Sequence, residues 1–179
     1  MIFIPGFCMT ANAASPLLSE ISRAGFRISA SERRMLFRNV RGITRWVHEE
    51  VAFLRTAGQE PILIGYSMGG DIAQRVAANM KVRAILLSTP RMAQDTFFSA
   101  LHLLLEGRLA CRRNTPSPYV SSYSEAFSFH IPQPEEEGHI VTRGIYSHFA
   151  VNNPQVIQVL VNRANEIRGC AHRGEPKQE

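Results

Sequence analysis

Pro61-Ile62-Leu63-Ile64-Gly65-Tyr66-Ser67-Met68-Gly69-Gly70-Asp71 reads as a buried strand, a serine between two glycines, and the start of a helix. Ile62-Leu63-Ile64 is a short apolar run, rich in β-branched residues, that suits a central strand of a parallel sheet. Beyond the turn, Ile72, Ala73, Val76 and Ala77 recur at helical spacing, with Gln74, Arg75 and Asn79 between them. So abrupt a passage from strand to helix strains the backbone at the serine, and nothing larger than glycine is expected to fit at Gly65 and Gly69. The strain exposes the Ser67 hydroxyl at the carboxyl edge of the sheet, beside the positive end of the next helix. A bare Gly-x-Ser-x-Gly also describes an ordinary turn. An apolar strand before it and an amphipathic helix after it turn a weak signal into a strong one.

Outward from this segment, strands and helices alternate. Ile2-Phe3-Ile4 is a first strand ending at Pro5-Gly6, and Leu17, Leu18, Ile21 and Ala24 mark a helix closed by Gly25. Phe26 to Ala30 reads as a short strand, followed by an arginine-rich loop and a helix carrying Ile43, Val47, Val51 and Leu54 up to Gly58. After the central strand and its helix, Val82 to Leu87 is a buried strand stopped by Ser88-Thr89-Pro90. Phe97, Leu101, Leu104 and Leu105 space as an amphipathic helix, Tyr119 to Ser124 as a strand, and Ile140 to Ile145 as the last strand. Asn153-Pro154 opens a final helix with Val156, Ile157, Leu160, Val161 and Ala164, proline standing at a favoured first-turn position. The alternation predicts an α/β protein: a single-domain three-layer α/β/α sandwich on a mostly parallel sheet of about six strands. The domain is expected to cover residues 1–169, with residues 170–179 a flexible C-terminal tail.

The 179 residues suffice for one domain with a substantial core. No segment approaches bilayer length, and Met1-Ile2-Phe3-Ile4 has no basic region before it and Pro5-Gly6 directly after, so a cytoplasmic protein is expected. Cys8, Cys111 and Cys170 are odd in number and form neither a metal pattern nor a disulfide framework. His48-Glu49-Glu50-Val51-Ala52 lacks the second histidine of a zinc-binding HExxH, and no Gly-rich phosphate loop or dinucleotide fingerprint is present, so no cofactor or metal is implied. The formal net charge of +5 is almost all arginine, with only Lys81 and Lys177 as lysines. Arg33-Arg34, Arg38, Arg41 and Arg45 form one cluster and Arg108, Arg112 and Arg113 another. Such clusters suit phosphates, anionic lipid or an acidic substrate, or are simply a solvated face. They lack the interleaved aromatics of a nucleic-acid surface, so no nucleic-acid partner is expected.

Four segments together resemble the α/β-hydrolase superfamily, in particular its minimal, lid-poor serine esterases and lipases, without the leading strands of that fold. They are Ile2-Phe3-Ile4-Pro5-Gly6-Phe7, Gly65-Tyr66-Ser67-Met68-Gly69-Gly70, Val82 to Pro90, and Val141 to Val151. The resemblance makes the central turn a nucleophile elbow with Ser67 as nucleophile, which needs a base to remove its proton. Family order is Ser, then acid, then His. His148 stands where the histidine belongs, after the last strand, with one residue more than the family's G-x-x-H in Gly144-Ile145-Tyr146-Ser147-His148. His139 precedes that strand, His48 and His102 lie on upstream helices, and His172 is in the tail. The oxyanion hole would be the backbone N–H groups of Phe7 and Met68, although the family often has His-Gly where this chain has Pro5-Gly6.

The acid departs from the pattern. Asp71 and Asp95 are the only aspartates, and Asp71 sits one turn beyond the nucleophile on its own helix. In Ser124-Glu125-Ala126-Phe127-Ser128-Phe129-His130-Ile131-Pro132, Ser128 occupies the expected aspartate position. Glu125, at the strand end and with a longer side chain, is the assigned acid; Asp95 is the alternative, and Glu135-Glu136-Glu137 come third. His130 is either a further site contact or a surface histidine. The resemblance thus implies hydrolysis of a small-molecule carboxylic ester through an acyl-enzyme. The apolar helix at Phe97 to Leu105 would be one wall of an acyl pocket, or simply core. Two readings stand beside it: an acyltransferase or thioesterase on the same elbow whose arginines meet a phosphorylated carrier, and a catalytically impaired binding protein on the same scaffold.

Overall fold

Alternating apolar residues along the strands, and helically spaced ones between them, leave both faces of a central sheet to be covered. A computed structural model describes residues 1–87, 120–125, 139–142 and 150–173. In chain order the elements are β1 (Ile2–Ile4), a 3-10 turn (Ala11–Ala14), α1 (Ser15–Arg23), β2 (Ser29–Ala30), a second 3-10 turn (Phe37–Asn39), α2 (Val40–Thr56), β3 (Ile62–Tyr66) and α3 (Met68–Met80). There follow β4 (Arg83–Leu87), β5 (Val120–Glu125), β6 (His139–Thr142), a third 3-10 turn (Ala150–Asn152) and α4 (Pro154–Arg173). The helix expected at Phe97 to Leu105 lies outside the described residues.

The six strands form one sheet in the order β2-β1-β3-β4-β5-β6, and every neighbouring pair is parallel. The order reverses at β1: the crossover through α1 runs outward to β2, and the crossover through α2 returns past β1 to β3. Helices of opposite sense therefore leave from the carboxyl ends of β1 and β3. Between those ends opens the crevice where doubly wound sheets bind ligands.

Both faces are covered. Phe3, Ile64, Tyr66, Ile85 and Leu87 pack with Leu17 and Ile21 of α1 and Ile157, Leu160 and Ala164 of α4. Ile2, Ile4, Leu63, Ala84 and Leu86 pack with Ile43, Val47 and Val51 of α2 and Ile72, Ala73 and Val76 of α3. Neighbouring strand residues thus go to opposite layers, as a period of two requires, and β3 is buried at every position. This is the expected three-layer α/β/α sandwich.

Some boundaries differ from the sequence reading. β2 holds only Ser29 and Ala30, not Phe26 to Ala30. The reason is local: the Phe26 N–H is taken by the Ile21 carbonyl, which finishes α1, and the Phe26 ring lies under the Arg168 guanidinium, 4.2 Å from its centroid. The ladder with β1 begins only where Ser29 donates to the Met1 carbonyl. His139 does not precede the last strand but opens it, in register with Ser122. Among the described residues no helix is long and apolar enough to cross a membrane. α4 continues to Arg173, four residues past Gly169.

One polar device ties α2 to α3. Arg55, in the last turn of α2, donates from Nη1 to the Met80 carbonyl at 2.7 Å and from Nη2 to the Lys81 carbonyl at 3.2 Å. These are C-terminal groups of α3 that have no partner within the helix. Glu60 holds the guanidinium in place, accepting from Nε at 3.1 Å and from Nη2 at 2.5 Å. The hydrogen bond to Glu60 raises the Arg55 pKa, so its positive charge is permanent. Arg55→Ala removes charge-assisted donors from two carbonyls, and we expect a loss of about 1–2 kcal/mol. For a domain of this size that is a fall in Tm of roughly 2–8 °C, read by thermal unfolding followed by circular dichroism.

Candidate active site

The site is built where β1, β3 and α3 converge, and lack of side chains makes the convergence possible. A Cβ on Gly65 would stand 2.5 Å from the Gly70 Cα, 2.6 Å from the Gly69 carbonyl oxygen and 2.7 Å from the Ala73 Cβ. One on Gly69 would run into the Ile4 carbonyl oxygen and lie 2.5 Å from that of Pro5. Real Cβ atoms do not approach backbone so closely. α3 can begin on the edge of the sheet only because both positions are glycine, as expected. Gly6 extends the rule to β1, since a Cβ there would be 2.8 Å from the Tyr66 ring and 3.1 Å from the Ser67 Cβ.

Ser67 joins β3 to α3. Its N–H donates to the Leu87 carbonyl at 2.9 Å, a last bond across to β4, and its own carbonyl accepts from the Gly70 N–H at 2.9 Å, the first turn of the helix. To serve both, the backbone adopts φ 51° and ψ −122°, a region that L side chains avoid at a cost of about 1–3 kcal/mol. Ser67 is at the N-cap position of α3, yet its side chain does not cap the helix. It is 8% exposed, so the serine is not open to solvent as the sequence suggests but lies in a largely desolvated place beside the positive end of α3.

Phe7 follows Gly6 at the carboxyl end of β1 and Met68 opens α3, so the two backbone N–H groups lie on the elements that border the crevice. The Phe7–Cys8 turn is closed by the Met9 N–H donating to the Gly6 carbonyl at 3.0 Å. Cys8 takes φ 60° in it, a backbone region that L side chains rarely adopt. The turn is clamped to the loop after β2: the Cys8 N–H donates to the Met35 carbonyl at 2.7 Å, and the Met35 N–H to the Met9 carbonyl at 2.9 Å. Phe7 is 41% exposed at the mouth.

Glu125 ends β5. Register runs Tyr66–Leu87–Tyr123–Ile140 across the sheet, so Glu125 lies two residues past that row, at the carboxyl edge that also carries Ser67. Its backbone is two strand spacings from β3, about 10 Å. His148 and Asp95 lie outside the described residues, as do Ser128, His130 and Glu135 to Glu137. Asp71 is engaged on its own helix, its Oδ2 accepting from Arg75 Nε at 3.0 Å. Among the described residues no three of His, Cys, Asp and Glu gather as metal ligands. The sequence reading overlooked the roles of Gly6 and Met35. The adjacency of Gly6 to the elbow and the clamp on Cys8 exist only once β1 lies beside β3.

No protein-family model matches the sequence, and no curated protein matches it. Solved structures do match in fold. A pyrethroid hydrolase superposes with TM-score 0.58 at 15% identity, covering 92% of this chain and 96% of that one. A monoacylglycerol lipase from Paleococcus ferrophilus gives 0.57 at 16%, covering 92% and 91%. An alpha-beta serine hydrolase homologue from Coxiella burnetii gives 0.53 at 17%, covering 90% and 82%. The chain has the α/β-hydrolase fold.

The strain at Ser67 is measurable. Ser67→Gly frees the positive φ, whereas Ser67→Ala keeps it. We expect the glycine variant to be the more stable of the two by about 1 kcal/mol, after allowance for the greater chain entropy of glycine. Paired denaturant titrations read the difference.

Proposed function

We propose that this chain is a serine hydrolase that cleaves small-molecule carboxylic esters through an acyl-enzyme on Ser67. The observation that carries the reading is the Ser67 backbone, held at φ 51° between the β4 ladder and the first turn of α3. A structural serine has no need of such strain. A nucleophile does, because it must stand clear of both strand and helix while the helix N-terminus favours negative charge nearby.

In this reading the Ser67 oxygen attacks the ester carbonyl while His148 takes its proton as general base. The oxyanion that forms is met by the Met68 and Phe7 N–H groups, each donor being worth about 3 kcal/mol of transition-state stabilisation. Protonated His148 then gives its proton to the leaving alcohol, and water repeats the sequence on the acyl-enzyme to release the acid. Glu125 would orient His148 and support its charge, with Asp95 as the alternative acid.

Chain geometry supports the histidine. It is six residues on from Thr142 at the end of β6, a reach of up to about 20 Å, whereas the three strand spacings back to β3 amount to about 14 Å. On its other side, three residues on, Val151 is 3% exposed and shares a core cluster with Tyr66, the neighbour of Ser67. The solved structures of like fold include proteins described as a pyrethroid hydrolase and a monoacylglycerol lipase.

The test is hydrolysis of p-nitrophenyl acetate and butyrate, with labelling by a fluorophosphonate probe. Wild type should turn over and label. Ser67→Ala should lose labelling and at least about 10⁴-fold in kcat, and His148→Ala a comparable factor. Of Glu125→Gln and Asp95→Asn, the one that lowers kcat identifies the acid. Wild-type turnover no greater than that of Ser67→Ala, with no labelling, would refute the proposal.

A further inference from the structure

The arginines that the catalytic reading leaves unused lie along one flank of its crevice. Arg33, Arg34, Arg38, Arg41 and Arg45 are all exposed, in the loop after β2 and the beginning of α2. The clamp through buried Met35 holds this loop against the Phe7–Cys8 turn, so the backbone of Arg34 is one residue from the clamp, whose other end at Cys8 is one residue from Phe7, the residue proposed to bind the oxyanion. Arg38 follows in the 3-10 turn, and Arg41 and Arg45, four apart on one side of α2, continue the track away from the crevice. Arg33 leans onto that helix: a guanidinium nitrogen is 3.3 Å from where a Cβ of Gly42 would stand.

Folding does not ask for this arrangement. The first turn of α2 contains no acidic residue, and positive side chains at a helix N-terminus oppose its dipole. Like charges three and four residues apart repel as well. Among the described residues none of the five arginines is in an ion pair, whereas Arg23, Arg55, Arg75 and Arg163 each have a carboxylate. Five cations left without carboxylates beside a crevice suit a multiply charged anion, and the forked guanidinium matches phosphate oxygens two at a time.

We infer that the substrate is an acyl ester or thioester whose leaving group carries phosphate, bound along the Arg33–Arg45 track with its acyl carbonyl at Ser67. This rests on the hydrolase reading and specifies its substrate class. The track is exposed, so it suits the part of the substrate that remains in solvent. In the reaction the acyl group passes to the Ser67 oxygen and the phosphorylated alcohol or thiol departs with the serine proton. Water then releases the carboxylic acid and restores the hydroxyl.

Butyryl-coenzyme A and butyryl-N-acetylcysteamine test this, since they share a thioester and differ in the phosphates. Wild type should favour the first by roughly tenfold in kcat/KM, mainly through KM, a few-fold for each exposed arginine engaged. The preference should shrink towards unity in Arg38→Ala/Arg41→Ala and in 0.5 M salt, but not in Arg27→Ala. Equal kcat/KM for the two thioesters overturns the inference. So does binding to phosphatidylserine vesicles with no preference between them, which would assign the track to a membrane surface. If neither thioester is turned over, titration of coenzyme A into Ser67→Ala decides the matter separately from catalysis. Binding that weakens in the added Arg38→Ala/Arg41→Ala background upholds the anion track independently of the hydrolase reading, which the p-nitrophenyl esters and the probe decide, and absence of binding overturns the track.

Discussion

The rest of the structure depends on how closely α3 approaches the sheet. The helix begins one residue after β3 ends, with Gly69 against the carbonyls of Ile4 and Pro5 and Gly65 against Gly69, Gly70 and Ala73. At these distances a methyl group on either glycine would force helix and strands apart. Pressed in this way, the chain has no room for a loop. The whole change of direction falls on Ser67, whose amide still belongs to the sheet and whose carbonyl already belongs to the helix. The positive φ there is the consequence, and core packing on both faces of β3 maintains it.

A second constraint is topological. Because the order of strands reverses at β1, the segments after β1 and β3 leave the same edge side by side. Gly6 lets the first segment lie against Tyr66 and Ser67, and Met35 pins the following turn from the far side. The loop after β2, sent to the same edge by the parallel sheet, brings its arginines along. Elbow, turn and charged track are therefore neighbours through one sheet edge, although more than twenty residues separate each from the next in the chain.

Much of this was legible in the residues. Alternation of short apolar runs with helically spaced ones announces a parallel sheet between two helical layers, because only helices of that spacing can cover strands that are apolar on both sides. The glycines around Ser67 announce a turn too tight for side chains. Boundaries were less legible where a residue serves two masters. Phe26 has the composition of a strand residue, but its N–H closes α1 and its ring stacks under Arg168, a residue far along the chain. His139 reads as a flank of β6 and is its first residue, since pairing with Ser122 depends on the stagger of β5.

By itself the sequence determined the fold class, the strand on which the elbow stands and the residue that must carry its strain. Each follows from local period, from β-branching, or from the absence of a Cβ. Tertiary structure alone decided that Gly6 abuts the elbow, that Met35 clamps the turn beside it, and that Arg55 of α2 serves the carbonyls at the end of α3. The difference is physical. Period and propensity act over a few residues and are written in them. Adjacency across a sheet depends on strand order and register, which belong to the packing of the whole chain.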